Sequence, residues 1–170
     1  MSIDDLISDR VSRGMLYPLI PKAPGTSPRR AMFVSEGIWE MLSTEHEDEE
    51  MEDRLGILQA DLELFAEGQW IDPKYLFLLY PPGEAVWEIR SLRPAPSIRV
   101  LGRFAKRDVF IATNMELREN LGGWQSREWK NVKRLACIKW GHLFHTYQPM
   151  LSTNIHDLVT DAVNGKYFKA

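Results

Sequence analysis

The chain has 170 residues, a size at which folding buries about 70% of the unfolded surface, so one domain needs no metal or disulfide staple. Its apolar fraction of 44%, charged fraction of 26% and six tryptophans are those of a well-anchored globular protein, while the single cysteine, Cys137, excludes an intramolecular disulfide and a thiolate metal cage. The net charge of −3 conceals an asymmetry: acidic side chains crowd residues 45–67, with Arg54 the one base, and Arg and Lys dominate residues 90–139.

Residues 1–30 read as a loosely structured N-terminal arm packed on the domain. A short helix over 3–9 is followed by Pro18, Pro21, Pro24 and Pro28, which interrupt any continuation, and residues 22–29 carry turn chemistry. The acidic start Met1, Ser2, Ile3, Asp4, Asp5 departs from the signal-peptide pattern, and no run of about eighteen apolar residues is present. The expected address is therefore the cytoplasm, with no membrane partner.

Residues 31–34 form a short apolar run that predicts a first strand, and residues 37–42, with Trp39, a turn of helix. Acidic residues at 45–53 lead into an amphipathic helix in which Met51, Leu55, Leu58, Leu62 and Phe65 recur at helical spacing. Carboxylates favour its positive end, and Gly68 is placed to end it. The acidic run lacks the alternating ligands and central glycine of a calcium loop.

Strands follow in quick succession at 75–80, 86–92, 98–104 and 109–113, joined by Pro81, Pro82 and Gly83, by Pro94 and Pro96, and by Lys106, Arg107 and Asp108. Connections this short join antiparallel neighbours. In the second strand Val86, Glu88 and Arg90 point one way and Trp87, Ile89 and Ser91 the other; in the third, Arg99 and Leu101 share a face that Arg103 continues. After Ser126 a long helix presents Trp129, Val132, Ala136, Trp140, Leu143, Phe144 and Tyr147 on one face, with Lys130, Lys133, Arg134 and Lys139 largely off it, and Pro149 stops it. A last helix is expected over 154–163, with Gly165 beyond its end.

The order strand, helices, then a meander carrying arginines resembles the RelE/ParE toxin superfamily, in its HigB-like, phage-derived branch. The resemblance rests on residues 76–112: Val86, Trp87, Glu88, Ile89 and Arg90 match an apolar, aromatic, Glu, apolar, Arg strand, Ile98, Arg99 and Val100 its paired strand, and residues 104–112 the closing strand. It implies an α+β fold, a RelE-like antiparallel sheet with helices on one face, plus extra C-terminal helices. The divisions are the arm at 1–30, a RelE-like core at 31–120 and a helical extension at 121–170, packed into a single domain. It also implies an endoribonuclease toxin acting on mRNA or the ribosome and neutralised by an antitoxin, and it assigns Arg90 and Arg99 to the catalytic cleft. Residues 113–120 replace the basic-aromatic ending of the family, with Arg118 the only base, and the Trp-rich extension has no counterpart in the small toxins.

Cleavage at a 2′-hydroxyl needs a base, an acid and cations for the developing phosphorane charge; arginine suits the last because its fork holds two phosphate oxygens. The strand arginines fit either such a cleft or a ladder of ion pairs with Glu88. Arg103, Lys106, Arg107, Arg118, Arg127, Lys130 and Lys133, with Trp124 as an exposed stacking platform, form the candidate nucleic-acid-binding surface. His142 and His145 suit the negative end of the long helix better than a metal site, and Cys137 reads as filler. No cofactor motif is present, so none is expected, nor a metal. The alternative reading is a non-catalytic phage or mobile-element accessory protein that uses the added helices to bind a protein, a homodimer included; duplex DNA binding through the long basic helix is a third.

Overall fold

Ser2 and Asp5 start the first helix by capping each other: the Ser2 hydroxyl accepts from the Asp5 N–H at 3.1 Å and the Asp5 carboxylate from the Ser2 N–H at 3.2 Å. This helix, α1 (Ile3–Ser12), buries Ile3 and Ile7, and Leu16–Pro18 follows as edge strand β1. The computed structural model of the chain describes residues 1–21, 30–161 and 163. The turn expected at 22–29, with Pro24 and Pro28, and Gly165 lie outside them. Residues 1–21 thus hold a helix and a strand; Pro18 is tolerated because an edge position leaves its missing N–H unneeded.

The α+β class expected from the sequence holds. Strands β2 (Ala31–Ser35), β3 (Leu76–Leu78), β4 (Trp87–Ser91), β5 (Ile98–Lys106) and β6 (Val109–Leu117) complete a six-stranded mixed sheet in the order β1-β2-β6-β5-β4-β3. The meander β3 to β6 is antiparallel, whereas β2 runs parallel to β6, pairing Ala31 with Val109 through Val34 with Ala112. Between β2 and the meander lie α2 (Glu36–Ser43) and α3 (Glu49–Glu67). Asp48 caps α3 by accepting from the Glu50 N–H at 3.0 Å, and Gly68 ends it in the left-handed region at φ 81°.

Helices cover both faces of the sheet. On the first, Leu55, Leu58, Leu62 and Phe65 of α3 pack on Trp87, Ile89, Val100, Phe104 and Phe110. Phe104 meets Trp87 and Phe110 edge-on, with ring centroids 5.7 and 5.1 Å apart. Arg54, the lone base of the acidic stretch, is buried here: Nε donates to the Pro96 carbonyl and Nη2 to that of Ser91, both at 2.9 Å, pinning the β4–β5 turn to α3. On the second face α4 (Arg127–Phe144) and α1 cover the β5–β6 hairpin through Trp140, Leu143, Phe144, Ile3 and Ile7. The expected C-terminal helix is the single turn α5 (Ile155–Leu158), capped by Asn154. Among the described residues no helix is long and apolar enough to cross a membrane.

A bulge between Leu101 and Gly102 bends the hairpin. A Cβ at Gly102 would lie 2.2 Å from the Ile111 carbonyl oxygen and 2.8 Å from the Phe110 ring. Gly102→Ala is expected to destabilise the protein by about 3 kcal/mol, read as a fall in Tm of roughly 10 °C; an unchanged Tm would mean that the backbone there yields freely.

Candidate functional site

The β4–β5 register sets Arg90 directly opposite Arg99 and Glu88 opposite Leu101. Opposed residues share a face, and since Trp87 and Ile89 fill the α3 side, Glu88, Arg90 and Arg99 emerge together on the other. The alternation read from the sequence is therefore the one the fold uses.

Glu88 sits between the two guanidinium groups. Arg90 Nε donates to its Oε1 at 2.7 Å, and Arg99 Nε lies 3.6 Å from Oε2, which is buried without a hydrogen-bond partner. The side chains of Glu88 and Arg99 are 3% and 11% exposed, that of Arg90 28%, so Arg90 is the one that meets solvent. Arg90 also donates from Nη1 to the Pro73 carbonyl at 3.0 Å and lies 4.7 Å from the Phe77 ring centroid. Arg99 Nη1 donates to the Ser97 hydroxyl at 2.7 Å. Burial pushes the Arg99 guanidinium below its ordinary value, partly offset by the Glu88 carboxylate; an arginine remains charged at neutral pH regardless.

These groups floor a cavity of about 450 Å³ bounded by β3, the residues after it and the first turns of α4. Arg118 and Lys133 join Arg90 and Arg99 in its lining, four cations against the single carboxylate of Glu88 among the described residues. Arg118 follows β6, donates to the Gly122 carbonyl at 2.9 Å and lies 5.9 Å from the Trp129 ring centroid. Lys133 donates to the Tyr80 carbonyl. The mouth is aromatic: Trp124, 79% exposed, and Tyr80, 56% exposed, have ring centroids 6.0 Å apart. Trp124 is held out by a loop in which both Gly122 (φ 65°) and Gln125 (φ 61°) adopt left-handed backbone, a strained state for Gln125.

The predicted surface is only partly gathered here. Arg90, Arg99, Arg118, Lys133 and Trp124 line the cavity; Lys130 lies in a neighbouring one, and Arg127 is exposed at the first residue of α4. Arg103 is on the same sheet face but under α4, its Nη2 donating to the Glu84 carbonyl at 2.6 Å and to Cys137 Sγ at 3.1 Å. Burial pushes the Cys137 thiol up, with the Arg103 charge opposing. Lys106 ends β5 and pairs with Asp4 at 2.8 Å, and Arg107 in the turn that follows donates to the Thr160 hydroxyl at 2.7 Å.

Tyr80, Phe77 and Gln125 line the site without a role assigned to them from the sequence, and Glu88, expected as an ion-pair partner of the strand arginines, lies between them. The clue for Glu88 was its position two residues before Arg90; Tyr80 carried none, because it closes an apolar run and reads as core. No histidine is in the cavity lining: His46 lies between α2 and α3 with Nε2 3.0 Å from the Met41 carbonyl, His142 and His145 end α4, and His156 is in α5. Among the described residues no three His, Cys, Asp or Glu side chains are grouped to hold a metal ion. The arrangement offers guanidinium forks for an oxyanion and ring faces for a planar group. Comparison of the chain with protein-family models, with curated proteins and with solved structures finds no match.

Proposed function

We propose that this chain binds single-stranded RNA in the Arg90–Arg99 cavity and acts as a RelE/HigB-like toxin on mRNA or the ribosome. The observation that carries the reading is the combination, in one cavity, of an exposed Tyr80–Trp124 pair with the guanidinium groups of Arg90, Arg99 and Arg118. Aromatic faces accept any base, and arginine forks fit phosphate oxygens; single-stranded nucleic acid is the ligand that presents both at adjacent positions. A strand followed by helices and an arginine-bearing meander, the order behind the family resemblance, supports the toxin part of the reading. Expression in growing bacteria tests it: slowed growth with shortened or untranslated transcripts is expected, and normal growth with intact, translated transcripts from soluble protein overturns it.

A second reading, protein binding without cleavage, is favoured by three observations. The strand arginines are neutralised in part by Glu88, and the cavity lining has no histidine to move a proton. A separate apolar groove between α2, α3, β6 and α4, with Met41, Met51, Leu117 and Leu135 in its lining, offers the surface for a partner. Size-exclusion chromatography with light scattering distinguishes a self-associating or partner-bound protein from a free monomer.

A further inference from the structure

The cavity around Arg90 and Arg99 does not end at its aromatic mouth. A second cavity of about 600 Å³ adjoins it, and Tyr80, Gln125 and Lys133 line both, so these three residues form the ridge between two halves of one trough. Beyond the ridge the trough is walled by α4, where Lys130, Lys133 and Arg134 fall at spacings of three and four residues and so share one helix face. Lys130 and Arg134 are exposed and have neither an ion pair nor a side-chain hydrogen bond among the described residues. Among the described residues Glu84 is the only carboxylate in this second lining. Most other cations near the sheet are engaged: Arg103 with the Glu84 carbonyl and Cys137, Lys106 with Asp4, Arg107 with Thr160.

We infer that the bound strand continues over the Tyr80–Gln125–Lys133 ridge, its further phosphates resting on Lys130 and Arg134 of α4. The inference rests on the RNA-binding reading and extends it from one nucleotide position to a site of several. From Lys130 to Arg134 the helix advances about 6 Å, and at about 3.4 Å per stacked nucleotide this accommodates one or two additional phosphates. The ridge also suits a single strand rather than a duplex. Tyr80 and Trp124 meet bases whose faces are free, and the left-handed backbone of Gln125 places an amide-bearing residue where the strand must cross from one cavity to the other. The C-terminal extension is, on this account, half of the binding site.

The test compares labelled uridine monophosphate with labelled oligouridine of about ten nucleotides by fluorescence anisotropy across a salt series, in the full chain and in Lys130→Ala/Arg134→Ala. Both positions are solvent-exposed, and circular dichroism checks that the helix and Tm are kept. The double variant is expected to bind the decamer about tenfold more weakly at physiological salt, and to lose at least about fivefold more affinity for the decamer than for the mononucleotide. Its log–log salt slope for the decamer should fall by about 1.4, two phosphate contacts at about 0.7 each. Equal losses for both ligands, or an unchanged decamer slope, overturn the continuation while leaving RNA binding in the first cavity intact. Displacement of the decamer by polyglutamate at matched charge overturns it in favour of an acidic protein segment. If the unmodified chain binds neither ligand, the RNA reading itself fails.

Discussion

Glu88→Ala is expected to lower stability by about 3–5 kcal/mol, a fall of roughly 10–15 °C in Tm for a chain of this size. The reason is the geometry of the cavity floor. Arg90 and Arg99 are held side by side by the strand register, and Glu88 is the carboxylate between them, at 2.7 and 3.6 Å. Its removal leaves two like charges adjacent, one of them on a side chain only 11% exposed. Glu88→Gln keeps the volume and one acceptor, so its cost should be smaller. The same variant should bind oligoribonucleotide more tightly than the unmodified chain, because among the described residues the cavity keeps four cations and loses its only carboxylate. Thermal melts and binding isotherms on the two variants check this. A Glu88→Gln protein that melts normally and binds RNA no better would show that Glu88 neither holds nor restrains the arginines.

The second large effect concerns the arginines themselves. Replacing both by alanine is a poor probe, since it would strand Glu88 as a buried, uncompensated charge and confuse folding with binding. Arg90→Lys with Arg99→Lys retains both positive charges beside Glu88 while removing the planar forks. Hydrogen bonds involving charged groups are worth about 1.5–3 kcal/mol each, so losing one well-formed contact at each position predicts a drop in RNA affinity of about 100-fold or more, with Tm shifted by only a few degrees. Arg118→Ala supplies an independent arm: Arg118 has no ion pair among the described residues and donates to a loop carbonyl, so its loss should weaken binding about tenfold without unfolding the protein. Equal RNA affinity in the double lysine variant and the unmodified chain would mean that guanidinium geometry plays no part.

Much of this arrangement was legible in the amino-acid order, for identifiable reasons. A period of two in residues 86–90 separates Trp87 and Ile89 from Glu88 and Arg90, and short proline-bearing turns force antiparallel neighbours, so Arg90 and Arg99 had to fall on adjacent strands. The end of β6 was harder to see. Residues after Thr113 turn polar and read as the end of the strand, yet pairing runs to Leu117, because Asn114 and Glu116 lie on the cavity side of the sheet where polar groups are tolerated. The parallel pairing of β2 with β6 joins segments some eighty residues apart, and hydrophobic periodicity has no information on which distant strand is the partner. The role of Arg54 was hidden for the opposite reason: surrounded by carboxylates, it reads as a solvated base, but its position on the α3 stripe beside Leu55 and Leu58 turns it into the core, where the carbonyls of Ser91 and Pro96 accept its hydrogen bonds. Arg99 and Arg103 share a strand and a face of the sheet, yet Arg99 lines the cavity whereas Arg103, four residues on, reaches the Glu84 carbonyl, Cys137 and the Trp140 ring beneath α4.

Direct titration of the purified chain with a labelled single-stranded oligoribonucleotide, in parallel with Trp124→Ala, puts the RNA-binding reading to its most immediate test. Trp124 is exposed at the mouth of the cavity, and its ring contact is with the likewise exposed Tyr80, so little core packing is lost with it. Base stacking on an aromatic side chain is worth about 1–3 kcal/mol, so the variant should bind roughly 10- to 100-fold more weakly with its Tm unchanged, and binding to the unmodified chain should weaken steeply as salt is raised. Identical isotherms for the two proteins, or no binding by either at low salt, would contradict the account.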